Sequence, residues 1–201
     1  MTEVPAVVGI ACGVLCPELE ALRERRRIDF PIRYLESNLH MAPEMLHQQM
    51  ASLVESEGKE GHQVLLVYGD CHPHMAELVA MPGVVRVQGV NCCEILLGRE
   101  RTRSLRKETA FCLLAEWTSR WREVLAKLLD LDEEATVAVM RECHSKLVYL
   151  DTGALPLPTD ELKACSEYFG LPCEVLSVPL DHLLEVVMDA AKELKGRGTC
   201  L

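Results

Sequence analysis

The sequence predicts a mostly parallel, doubly wound α/β sheet with helices on both faces and a helical insertion after the fourth strand. Three observations carry that prediction. Short apolar, β-branched runs alternate with amphipathic segments along the chain, as in sheets whose parallel strands are joined by helices. The strand runs are near-continuous hydrophobic stretches, the pattern of strands buried on both faces. The chain has 201 residues, 49% of them hydrophobic and only 4% aromatic. That is enough aliphatic material for one α/β domain over residues 1–201, with the insertion at about 99–144.

The elements follow in order. Val7-Val8-Gly9-Ile10-Ala11 is a strand running into Cys12-Gly13. Cys16-Pro17-Glu18-Leu19-Glu20-Ala21-Leu22 is a helix start, with proline in the first turn, acids behind it and Arg23–Arg27 at the far end to suit the dipole. Phe30–Leu35 is the second strand, followed by a loop holding His40. Pro43–Glu57 is a helix with Met45, Leu46, Met50, Leu53 and Val54 on one face. Gln63–Tyr68 is the third strand, leading into Gly69-Asp70-Cys71-His72-Pro73-His74, a short helix to Met81 and a Pro-Gly turn. Val84–Val90 is the fourth strand and ends at Asn91-Cys92-Cys93, before a helix from Glu94 to Gly98. Arg99 to His144 is charged and mostly helical. Trp117 and Trp121 are expected in a core, and Arg99–Lys107 on a solvated helix face. Lys146–Leu150 is a fifth strand ending in Asp151-Thr152-Gly153. Thr159–Phe169 is a helix closed by Gly170. Cys173–Val178 is a sixth strand, Leu180–Leu194 a last helix, and Gly196–Leu201 a frayed tail.

Several classes are disfavoured. A formal charge of −10 argues against nucleic acid or an anionic membrane as partner, since both bind basic surfaces. No apolar run approaches the ~18 residues that a membrane span needs. The N-terminal apolar run lacks a basic flank and has a strand pattern, so it does not resemble a signal peptide. Ten cysteines without such a signal are expected to be reduced thiols in a cytoplasmic protein. No Walker A loop, G-x-G-x-x-G fingerprint or G-x-S-x-G elbow is present.

The chemistry points to the strand ends. Three strands finish in cysteine, at Cys12, Cys71 and Cys92-Cys93, and ligands in open α/β sheets bind beyond those ends. In the common order 2-1-3-4-5 the three strands are neighbours, ~4.8 Å apart, which sets their terminal thiols roughly 5–10 Å from one another. Cys12, Cys71 and Cys93 are therefore candidate ligands of a soft metal ion or an iron–sulfur cluster. His40 and His72 are candidates for a further position, and His74 flanks the same loop. Along an extended strand end Cys92 and Cys93 would face opposite ways, and Cys93 is the one expected to face the site. Cys16, Cys112, Cys143, Cys165, Cys173 and Cys200 read as structural or incidental.

Short motifs along most of the chain are similar to a family defined as a domain of unknown function, numbered 1638, met largely in anaerobic bacteria and methanogenic archaea. They are Ala11-Cys12-Gly13-Val14-Leu15 with Glu18 and Glu20; Leu39-His40 with Pro43-Glu44; Leu66-Val67-Tyr68-Gly69-Asp70-Cys71; Asn91-Cys92-Cys93 with Leu96-Leu97-Gly98; Glu116-Trp117; and Leu150-Asp151-Thr152-Gly153. The resemblance implies cysteines at Cys12, Cys71 and Cys93, and a setting among corrinoid proteins and methyltransferases. It implies no settled activity. Two departures touch the site: His72-Pro73-His74 stands where the family tends to a glycine-rich turn, and Asn91-Cys92 where it tends to His-Asp. The leading expectation is a thiolate-ligated metal or iron–sulfur protein (4Fe–4S, or zinc) acting in one-carbon metabolism. The alternatives are a cofactor-independent cysteine enzyme of racemase or isomerase type, and a non-catalytic docking subunit.

Overall fold

A computed structural model describes residues 6–197. Strands β1 (Val7–Cys12), β2 (Ile32–Leu35), β3 (Gln63–Val67) and β4 (Val84–Arg86) form a parallel sheet in the order β2-β1-β3-β4. Strands β5 (Ala110–Leu113), β6 (Lys146–Asp151) and β7 (Cys173–Ser177) form a second parallel sheet in that order. The helices are α1 (Cys16–Glu24), α2 (Pro43–Lys59), α3 (Met75–Val79), α4 (Cys92–Leu97), α5 (Arg99–Lys107), α6 (Ala115–Thr118), α7 (Trp121–Leu129), α8 (Glu133–Cys143), α9 (Thr159–Phe169) and α10 (Asp181–Arg197). The fold is the parallel α/β class that the alternation predicts. Two compact units divide it: Met1–Leu96 with Leu180–Leu201, and Leu97–Pro179.

In the first unit every residue of β1 and of β3 is buried, as expected for central strands covered on both faces. The chain runs from β1 outward to β2, then crosses back over β1 to β3 and β4. Right-handed crossovers then place α1 on one face and α2 and α3 on the other. The strand order reverses between β1 and β3, so the crevice beyond their C-terminal ends is the topological switch point. Helix α10 returns to pack on β3 and β4, and Gln63 Nε2 donates to the Leu194 carbonyl at 3.1 Å. It extends to Arg197, past the expected end at Leu194; residues 198–201, including Cys200, lie outside the described residues.

At the opposite, N-terminal edge of β3, Glu57 is 5% exposed and accepts from His62 Nδ1 at 2.8 Å and Arg33 Nε at 3.3 Å. The His62 hydrogen bond, opposed by burial and aided by Arg33, holds the carboxyl below its ordinary 4.5. A depressed carboxyl contributes stability above its unfolded pKa, and that contribution is lost as pH falls through the folded value. Glu57→Gln is therefore expected to flatten the acid limb of the stability curve below pH 4.5. Denaturant midpoints across that range check it, and parallel curves for variant and parent would refute it.

The second unit has its own core, with Leu113, Leu125, Met140, Leu147, Tyr149, Leu162, Cys165 and Phe169 around Trp121. The Trp121 ring meets Tyr168 and Phe169 at centroid distances of 5.1 and 5.6 Å. Trp121 is thus core as expected, whereas Trp117 is only half-buried. Gly170 closes α9 at φ 62°, and the arginines of α5 are solvated, both as predicted.

Three expectations change. The segment from Arg99 to His144 is largely helical but also holds β5, whose four residues are too short a run to distinguish from the helices around it. The strand at Lys146 does not extend the first sheet; β5 and β7 flank it in a separate one. The fourth strand also stops at Arg86, because the chain turns away through Gly89 at φ 133°. No helix among the described residues is long and apolar enough to cross a membrane.

Candidate functional site

The site lies within the first unit, at the switch point between β1 and β3. Cys12 is the last residue of β1 and is buried. Gly13 follows it, where a Cβ would stand 2.9 Å from the Leu35 carbonyl oxygen, so the chain end hugs β2. Tyr68 follows β3 directly and is 1% exposed. The next residue, Gly69, is clamped on the β4–α4 loop: a Cβ there would meet Val90 O at 2.5 Å and the Asn91 backbone at 2.6 Å. Asp70 N–H donates to Val90 O at 3.0 Å. Arg86 adds a clasp, pairing with Asp70 at 3.0 Å and donating to the Tyr68 and Gly89 carbonyls at 3.3 and 3.2 Å. These contacts hold the Cys71 loop against the start of α4.

The expectation that Cys92 faces away is corrected here. Cys92 and Cys93 are not on a strand end; they open α4. Asn91 caps that helix, its Oδ1 accepting from Glu94 N–H at 2.9 Å, and Asn-x-x-Glu is the residue pattern of a capping box. Successive helical residues diverge by about 100° rather than 180°, so both thiols can border the crevice. It is Cys92 that meets Cys12. Its thiol is pushed well above the ordinary range, first by a hydrogen bond to Cys12, then by burial and by the thiols of Cys12, Cys71 and Cys93. Cys71 is pushed up to about 11 by burial and by Cys12, against the opposing Gly69 backbone and Arg86. The Tyr68 phenol is also raised, by burial first and then by Cys12, Cys92 and Cys71, with a hydrogen bond to Cys12. Apart from sulfur, its hydroxyl has no partner among the described residues.

The structure thus brings together Cys12, Cys71 and Cys92 around Tyr68, with Cys93 next along the helix. Their sulfurs do not all fall within 4.8 Å of one another; the one trio of possible ligand atoms that does, among the described residues, is Glu57, Glu60 and His62. His62 there already pairs with both carboxylates, and Arg33 with Glu57.

His40 sits in a 3-10 turn, Ser37–Met41, after β2, on the opposite side of β1 from β3. Its Nδ1–H donates to the Ser37 carbonyl at 2.6 Å. His72 belongs to another environment. It is 5% exposed, neither ring nitrogen has a hydrogen-bond partner, and its ring lies 5.1 Å from that of His47 on α2. Burial first, then His47 and His74, lower its pKa. A buried polar atom left unpaired costs about 1–3 kcal/mol, so this arrangement is expensive as it stands.

Of the remaining cysteines, Cys16 opens α1, Cys112 lies half-buried on β5, and Cys143 is exposed at the end of α8. Cys165 is fully buried in the core of the second unit, where burial pushes its thiol up to about 12, and Cys173 is half-buried at the start of β7. No disulfide joins two of the described cysteines.

Fold and site together define a parallel α/β protein with a thiol-lined crevice at its switch point. The chain belongs to the family described as a protein of unknown function (DUF1638), whose model matches residues 34–187. Cys71, Cys92, Cys93, His40 and His72 fall inside that match, and Cys12 precedes it. No curated protein and no solved structure matches the chain.

Proposed function

We propose that the crevice holds a soft metal centre, with Cys12, Cys71 and Cys92 as thiolate ligands and Cys93, His40 or a substrate at the remaining position. The observation that carries this reading is the convergence of three thiols, Cys12 raising Cys71 and both of them raising Cys92, around a buried tyrosine hydroxyl that has only sulfur for company. Thiols that repel one another as anions are what a cation relieves. The donor set fits soft or borderline metals. Size favours a cluster. A single tetrahedral ion with ~2.3 Å bonds needs sulfurs about 3.8 Å apart, closer than this set stands, whereas an iron–sulfur cluster such as 4Fe–4S spans a wider one.

Such a centre supplies electron transfer or an open coordination position. The protein's part is to fix the sulfurs: Tyr68 donates toward Cys12, Asn91 caps the helix that presents Cys92, and Arg86 ties the Cys71 loop to the end of β4. A corrinoid protein or methyltransferase as partner, in one-carbon metabolism, belongs to the same proposal. The raised thiols count against a metal-free enzyme that uses one of them as a general base, which needs a pKa near the working pH.

Anaerobic purification followed by iron, zinc and acid-labile sulfide analysis tests the proposal. Iron and sulfide in comparable amounts, with charge-transfer absorption, is the expected result. A colourless, metal-free protein that takes up neither zinc nor iron with sulfide would overturn it. Affinity is also expected to rise with pH. Cys71 and Cys92, both raised, are protonated at neutral pH and must release their protons to ligate, so affinity should gain about tenfold per pH unit for each such thiol displaced, between about pH 6 and 8. With Cys71 at about 11, the rise should not level off within that window. Flat binding would exclude thiolate coordination.

A further inference from the structure

We propose a second metal site on the other side of the same loop, in which His47, His72 and His74 bind a borderline divalent ion of the zinc, cobalt or nickel kind. Residue 71 belongs to the thiol cluster, while residue 72 turns into a group of imidazoles. His72 is 5% exposed and both its ring nitrogens are unpartnered; Nδ1 of His47 is likewise buried and unpartnered. The His47 ring lies 5.1 Å from the His72 ring and 5.0 Å from the His74 ring, centroid to centroid, at interplanar angles of 63° and 45°. The three come from separate places in the chain. His47 is on α2, His72 on the loop after β3, and His74 is the N-cap residue of α3.

The surroundings suit a cation. His74 Nδ1 bonds the Glu77 carboxylate at 2.8 Å, the kind of partner that fixes the tautomer of a metal-binding histidine and leaves Nε2 to coordinate. Glu44, in the first turn of α2, lies close enough to His72 and His74 to act on both. Neutral imidazoles flanked by carboxylates fit ions of intermediate softness better than the soft metals that thiolates select. The ligand atoms of the trio do not all fall within 4.8 Å, so binding must draw them together. His74, whose side chain is 41% exposed, has room to do so.

Cobalt titration of anaerobically prepared, metal-stripped protein tests this independently of the thiol site, because sulfur-to-cobalt charge transfer marks thiolate ligation and its absence marks nitrogen and oxygen ligation. The parent is expected to bind cobalt in a class without the charge-transfer band, and Cys92→Ser is expected to retain that class. His72→Gln and His47→Gln should each weaken it at least about tenfold, the scale of losses in metal-site support, while any thiolate band survives. Should His72→Gln fold poorly, His47→Gln carries the test, since His47 is only half-buried. Two results would overturn the proposal: unchanged cobalt binding in a folded His47→Gln variant, or a parent whose bound cobalt all shows the thiolate band and disappears in Cys92→Ser. Failure of the thiol site alone would remove the charge-transfer band and leave the histidine class in place.

Discussion

Cys92→Ser is expected to lower metal or cluster affinity by about 100-fold or more after anaerobic preparation, and Cys93→Ser to do markedly less. Losing even a supporting partner of a metal ligand typically costs about 10–100-fold, and here the soft donor itself is replaced by a hard, poorly ionising alcohol. The ranking rests on geometry. The Cys92 thiol hydrogen-bonds Cys12 and feels Cys71, in the first turn of a helix that Asn91 caps. As packing, the substitution should cost only about 1 kcal/mol, so melting temperature separates lost affinity from lost fold. Cys12→Ser, at the buried end of β1, should match Cys92→Ser. Equal metal content in Cys92→Ser and the parent, with Cys93→Ser depleted, would reverse the assignment between the two neighbours.

Gly69→Ala is expected to destabilise the protein by about 3 kcal/mol, the upper part of the overpacking range, or roughly 6–12 °C in Tm for a chain of this size. The added methyl would meet backbone on every side, at 2.5 Å from the Val90 oxygen and 2.6 Å from two Asn91 atoms. Backbone cannot rotate out of the way as a side chain can. Relief requires the β3 and β4 loops to separate, which parts Cys71 from Cys92, so metal affinity should fall along with stability. Gly58→Ala is the control. It lies in α2 with no atom within 4 Å of the new carbon, and should be neutral or stabilising by about 0.5–1 kcal/mol. A Gly69→Ala protein as stable as the parent would mean that the two loops are not clamped there.

Much of this architecture was legible from local pattern. The buried runs at Val7, Gln63 and Val84 announced parallel strands, and Pro17, Pro43 and Gly170 marked helix ends that the structure keeps. The cap of α4 was legible too, because Asn91 and Glu94 have the spacing of a capping box; extending the fourth strand through Val90 hid it. β5 was hidden for a different reason, since four residues among helices carry no usable period.

By itself, then, the sequence determined the parallel α/β class, the buried strands and the delivery of thiols to the switch-point edge, because hydrophobic period and strand polarity are local properties. Only the tertiary structure decided which thiols meet and which way His72 faces. Cys92 reaches Cys12 because Gly69 lets the β3 loop lie against Val90 and Asn91. His72 turns to His47 because α2, distant in sequence, passes that side of the loop. Close approach between segments far apart in the chain depends on how backbones and side chains fill space together, and no local spacing of residues records that.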